Sequence, residues 1–109
     1  MKQRFTNLKK YSVAVAPELE KELHNWGVNS KIIDKIKART ELGVSKYGTE
    51  LHTHNGRCPL KDLEEELLDA LQYAKQAQMM EGGKSESTKF INYNFILTSL
   101  VRLLVELQN

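Results

Sequence analysis

The stretch PLKDLEEELLDALQYAKQAQMMEGG, residues 59–83, decides the fold. Its apolar positions Leu63, Leu67, Ala70, Leu71, Ala74 and Ala77 recur at helical spacing. At about 100° per residue they fall within about a third of the circumference, which is an amphipathic helix. Pro59 suits the first helical turn, where its missing N–H has no partner in any case, and Gly82-Gly83 ends the run.

The segments on either side of this helix are helical too. Asn29 and Ser30 are both good N-caps. Ile32, Ile33, Ile36, Gly43, Val44 and Tyr47 then recur at helical period up to a stop at Gly48. Pro17 opens an earlier, shorter helix that reaches about Trp26 and stops at Gly27, with Glu18, Glu20 and Glu22 towards its positive end. Residues 1–16 read as an N-terminal arm, irregular or extended, with a brief alternation at Tyr11, Val13 and Val15. Residues 49–58 have no helical period and contain Asn55-Gly56, so they read as a loop.

Downstream, residues 84–89 are polar and read as a linker, followed by a C-terminal helix over 90–108. Phe90, Tyr93, Ile96, Leu97, Leu100, Val101, Leu103, Leu104, Val105 and Leu107 spread over more than half of its surface. A stripe that wide needs two neighbours. One is the rest of the domain. The other is a second subunit, unless the helix is central and surrounded within one chain. The expected architecture is a single all-α domain over 1–109, a compact bundle of about four helices, forming a homodimer or homotetramer through the C-terminal helix.

Length and composition agree with one globular domain. The chain has 109 residues, 40% hydrophobic and 28% charged, near the usual balance. Sixteen Lys and Arg against fourteen Asp and Glu leave a net charge of +2, too small to imply nucleic acid or a membrane surface as partner. The basic residues are interspersed with acids, which argues against a DNA-reading face. A single Cys58 forms no internal disulfide and suits a reducing compartment; it reads as a small filler before Pro59. No apolar signal region follows MKQRFTNLKK, and no run has the length of a membrane helix. A cytoplasmic protein with no membrane partner is expected.

The candidate chemistry lies between Arg39 and Tyr73. With Asp62 at zero on the helical wheel, Glu66 falls at about 40°, Asp69 at about 340°, Glu65 at about 300° and Tyr73 at about 20°. Four carboxylates on one stripe repel one another unless water or a cation relieves them. Hard oxygen ligands one turn apart suit Mg²⁺ or Mn²⁺. Such an ion would bridge phosphate oxygens. The alternative is a solvated acidic face close to a helix start.

On the preceding helix Arg39, Gly43, Lys46 and Tyr47 share the side that carries Ile32 and Ile36. Cations there either pair with the acidic stripe or meet a phosphate. Gly43 in a helix interior suggests close approach of a neighbour or ligand. In the loop, Asn55 and Arg57 offer donors to a phosphate or base edge. His52 and His54 lack the further ligands of a zinc site and read as exposed loop histidines. No Gly-rich phosphate loop is present, so side chains and metal must hold any phosphate.

Arg39, the Lys46-Tyr47-Gly48-Thr49 element with Leu51, the Asn55-Gly56-Arg57 turn and the run of residues 63–73 with its Glu66-x-x-Asp69 spacing together resemble small MazG-like proteins. These are often encoded by phages and belong to the all-α nucleoside triphosphate pyrophosphohydrolases. The resemblance covers about a third of the chain. It implies a dimeric or tetrameric Mg²⁺-dependent enzyme that cleaves a nucleoside triphosphate between the α and β phosphates. It also places the family's second acidic motif on Glu66 and Asp69, with Glu65 beside them. The family's earlier E-E-x-x-E helix has no counterpart, since the second helix offers Glu41 and then Glu50 beyond its end.

Two functional expectations follow, with a third beside them. The first is nucleotide pyrophosphohydrolysis, with Glu65, Glu66 and Asp69 catalytic and, with Asp62, holding Mg²⁺ or Mn²⁺. Arg39, Lys46, Tyr47, Asn55, Arg57 and Tyr73 would bind substrate. The second is a non-catalytic protein that sequesters a nucleotide or cyclic nucleotide, as a phage might use against a defence signal. The third is a helical protein-interaction module.

Overall fold

A computed structural model describes residues 12–81 and 91–108. Among them the chain is all-α, with four helices: α1 (Val15–Asn25), α2 (Ser30–Tyr47), α3 (Pro59–Glu81) and α4 (Tyr93–Leu107). They divide between two units, Met1–Arg57 with α1 and α2, and Cys58–Asn109 with α3 and α4. The expected linker at 84–89 and most of the expected arm lie outside the described residues.

In the first unit α1 packs on α2. The connection between them is built from hydrogen bonds that α1 cannot satisfy internally. Gly27 takes a left-handed φ of 75°, Val28 N–H donates to the Leu23 carbonyl at 3.0 Å, and Gly27 N–H donates to His24 at 3.0 Å. This is the paired termination that glycine permits at a helix end. Asn29 then caps α2, its side chain accepting from Lys31 N–H at 2.8 Å. Ile33, Ile36, Thr40 and Gly43 form the half-buried ridge of α2. Gly48, at φ 78°, ends α2 with its N–H on the Val44 carbonyl.

α1 starts two residues before Pro17, the expected start. Pro17 is its third residue, still among the first four whose N–H groups lack an intrahelical acceptor, so the proline costs nothing there. Val15 N–H is satisfied instead by the Leu51 carbonyl at 2.9 Å. Ser12 and Val13 do run in non-helical conformation, and Ala14 forms an antiparallel bridge with His52. The expected extended arm thus has a described remnant, laid beside the loop that follows α2.

In the second unit α3 packs on α4. Leu67, Ala70, Leu71, Ala74 and Ala77 are half-buried, as their periodicity requires, whereas Leu63 stays 45% exposed. Gln108 Nε2 donates to Glu64 Oε2 at 2.5 Å, joining the end of α4 to the early turns of α3. At the other end the Tyr93 hydroxyl donates to Glu81. α4 begins at Tyr93 rather than at residue 90, because Asn92 caps it by accepting from Phe95 N–H at 3.0 Å.

No hydrophobic residue among those described is fully buried; Asn55 is the one described residue that is, at 6% exposure. A half-buried Leu or Ile recovers roughly half of the ~1.5–3 kcal/mol that full burial provides. Ordering one residue's backbone costs about 1–2 kcal/mol. Helix pairs of this kind are therefore weakly self-supporting.

Candidate functional site

The residues singled out between Arg39 and Tyr73 fall into two sets, one in each unit. In the first unit, Arg39 and Lys46 lie two turns apart on α2, roughly 10 Å along its axis. Both are exposed, and so is Tyr47 at 37%. The expectation that these cations occupy the core-facing side is corrected: the half-buried ridge is Ile33, Ile36, Thr40 and Gly43, and Arg39 and Lys46 stand to one side of it. No neighbouring protein group among the described residues approaches Gly43 closely, since a Cβ built there meets nothing within 4 Å.

The loop after α2 is shaped by its own polar groups. Thr53 and Val13 share two hydrogen bonds, Val13 N–H to Thr53 Oγ1 at 2.9 Å and Thr53 N–H to the Val13 carbonyl at 2.9 Å. Asn55 Oδ1 accepts from Arg57 N–H at 3.0 Å, the local turn that asparagine favours. This sets Arg57, half-buried, beside Asn55. His54 is exposed and has a positive φ of 54°. His52 is half-buried rather than exposed, because the bridge to Ala14 covers it, and its Nδ1 lies 2.9 Å from the Glu50 carbonyl oxygen. Cys58 is exposed, so it does not fill space before Pro59.

In the second unit α3 carries the acidic stripe over its first three turns. Asp62 is half-buried, while Glu65, Glu66 and Asp69 are exposed and Tyr73 is 68% exposed. Asp62 and Glu66 are already engaged by neighbouring groups. Glu65 and Asp69, one turn apart, have no hydrogen-bond or ion-pair partner among the described residues. A like-charged pair at that spacing costs roughly 0.2–0.5 kcal/mol of helix stability. No group of three or more His, Cys, Asp or Glu among the described residues is placed to hold a metal ion. The stripe therefore offers a pair of carboxylates rather than a cage.

An open groove of ≈ 720 Å³ in the first unit is lined by Val13, Leu19, Trp26 and Thr53 together with Glu18, Lys21 and Glu22. It contains none of the sequence-chosen residues. Its lining combines apolar side chains with the α1 carboxylates Glu18 and Glu22, one turn apart, and with Lys21. Sequence periodicity gave no sign of this groove, because it forms only when the residues before α1 pair with the loop after α2.

No family model matches the chain, and no curated protein or solved structure matches it. No helix among the described residues is long and apolar enough to cross a membrane.

Proposed function

We propose that this chain is a subunit of an oligomeric, Mg²⁺-dependent nucleotide pyrophosphohydrolase that converts a nucleoside triphosphate to a monophosphate and pyrophosphate. The observation that supports the reading is the pair Glu65 and Asp69, one turn apart on the exposed side of α3 and without a partner among the described residues. Mg²⁺ is characteristically held by one or two carboxylates, with waters and substrate phosphate oxygens completing its shell, so a pair suffices where a cage is lacking. Mn²⁺ suits the same hard oxygen donors. Bound there, the ion would supply charge neutralisation on the phosphates and activation of water.

Glu65 and Asp69 would hold the ion, with Asp62 and Glu66 adding negative charge along the stripe. Tyr73 extends the stripe with an exposed ring that a nucleobase or sugar can lie against. Within the first unit, Arg39, Lys46 and Arg57 are cations of the kind that bind phosphate, and Asn55 fixes the loop that presents Arg57. The working form is a homodimer or homotetramer, and the compartment is the cytoplasm.

The test is pyrophosphate release from a panel of canonical and modified nucleoside triphosphates with Mg²⁺ or Mn²⁺, followed by mass spectrometry of what stays bound. Release that disappears in Glu65→Gln and Asp69→Asn is the expected result. Recovery of unaltered nucleotide from the complex would replace hydrolysis by sequestration. No turnover and no binding would reject both.

A further inference from the structure

Charge is divided unequally between the two units. Met1–Arg57 holds eleven Lys and Arg against six Asp and Glu, a net charge of +5, while Cys58–Asn109 holds five against eight, a net charge of −3. The +2 of the whole chain is what remains when the two are taken together. Such asymmetry points to an anionic partner for the basic half.

The folding of α2 concentrates that charge. With Lys31 at zero on the helical wheel, Lys35 falls at about 40°, Arg39 at about 80° and Lys46 at about 60°. Asp34 falls at about 300° and Glu41 at about 280°, so the acids that intersperse the cations in sequence leave the row once the chain is helical. Lys31, Lys35, Arg39 and Lys46 are all exposed and form no ion pair among the described residues, whereas Lys37, on another side of α2, lies 3.9 Å from Glu20. Helix stability does not favour this row. Lys35 repels Lys31 and Arg39, each one turn away. Lys31 also sits in a first turn without an acidic residue, at the positive end of the helix.

We propose that this row binds the phosphate backbone of a double-stranded nucleic acid. Lys31 and Lys46 stand roughly 22 Å apart along the helix axis, a row much longer than a triphosphate chain. A duplex offers about one negative charge per 1.7 Å of its axis, so each cation of the row finds a phosphate. A single strand is held by aromatic side chains on which its bases stack, and no aromatic residue lies in the row. A bilayer surface takes a basic helix whose apolar face is free to enter it, whereas Ile33 and Ile36 are half-buried in a helix already packed on α1. Three lysines and one arginine along one line suit backbone contacts, which position a protein on a duplex without reading its sequence. The inference does not rest on the acidic stripe of α3.

The test is fluorescence anisotropy of the full chain with labelled duplexes of roughly 20 base pairs, DNA and RNA in separate arms, over a salt series. Four phosphate contacts predict that log K falls against log salt with a slope of about −3.6 or steeper on DNA. Lys31→Gln and Lys35→Gln should each flatten that slope by about 0.9, and the two together by about 1.8. Lys31→Arg combined with Lys35→Arg, which keeps both charges, should keep the slope. All these side chains are exposed, so the substitutions remove no buried contact. Binding to either duplex with this pattern supports the proposal, and the arm that binds names the duplex. No binding to either at low salt overturns it, and so does a slope that the Gln pair leaves unchanged or that the Arg pair loses equally. Tighter binding to vesicles of phosphatidylserine and phosphatidylcholine than to either duplex would assign the row to a membrane surface and overturn it too. Neither Lys31 nor Lys35 belongs to the nucleotide reading, which therefore stands or falls separately.

Discussion

Val13 and Thr53 hold each other by two hydrogen bonds, the Thr53 hydroxyl accepting from Val13 N–H at 2.9 Å and the Thr53 amide donating to the Val13 carbonyl at 2.9 Å. One bond depends on the side chain and the other does not. Thr53→Val should therefore remove one acceptor and cost roughly 0.5–1.5 kcal/mol, while Thr53→Ser should retain nearly all the stability. Urea denaturation gives the two values, and faster amide exchange at Val13 in Thr53→Val alone locates the lost bond. Equal loss in both variants would mean that the methyl group, not the hydroxyl, does the holding.

Gly43 within α2 and Gly48 just after it should respond to the same substitution with opposite sign. Gly43 is helical with open space where a Cβ would go, so Gly43→Ala should stabilise by roughly 0.5–1 kcal/mol. Gly48 sits at φ 78°, where an L side chain costs roughly 1–2 kcal/mol, so Gly48→Ala should destabilise by about that much. Thermal melts of both variants check the pair. A destabilised Gly43→Ala protein would show that a neighbour or ligand does approach that face.

Tyr93 should titrate late. Its hydroxyl donates to Glu81, a hydrogen bond that holds the phenol protonated, reinforced by desolvation and by the negative charge of Glu81, so its pKa lies above the ordinary 10.0. A group whose folded pKa is raised adds stability that is complete below the unfolded value and lost as pH climbs through the folded one. The closure of the α3–α4 pair should thus weaken only in the alkaline range above about 10. Ultraviolet difference titration of the four tyrosines should show one delayed phase that Tyr93→Phe and Glu81→Gln each remove. A Glu81→Gln protein that keeps the delay would rule out this origin.

Local signals account for what was legible beforehand. Asn29 and Gly48 bound α2 through their own side chain and backbone, and the start of α3 follows from Pro59, so periodicity and capping suffice there, while the glycine pair lies outside the described residues. Asn92 was an equally local cap signal for α4, but the apolar Phe90 and Ile91 beside it drew the expected start upstream. The start of α1 was not legible, because Val15 N–H is satisfied by Leu51, far along the chain. The same division applies to the site. Helix geometry alone puts Asp62, Glu66, Asp69 and Tyr73 on one stripe. Which members are engaged, and the outward placement of Arg39 and Lys46, depend on packing that a wheel does not contain.

The pair Glu65 and Asp69 makes the last prediction, in which stability and activity separate. Neutralising either carboxylate removes a like-charge repulsion at one helical turn, so Glu65→Gln and Asp69→Asn should be at least as stable as the parent, by up to roughly 0.5 kcal/mol. If the pair holds Mg²⁺, the same substitutions should lower pyrophosphate release by about 10²-fold or more, the scale on which loss of a group stabilising transition-state charge is felt. Mg²⁺ should raise the melting temperature of the parent by binding only the folded form, and should leave both variants unmoved. Melting curves with and without Mg²⁺ read the binding half independently of turnover. A parent protein whose melting is indifferent to millimolar Mg²⁺ and Mn²⁺ would leave the stripe a solvated acidic face. A parent stabilised by the ion yet inactive on every nucleotide would leave it a metal-assisted binding surface.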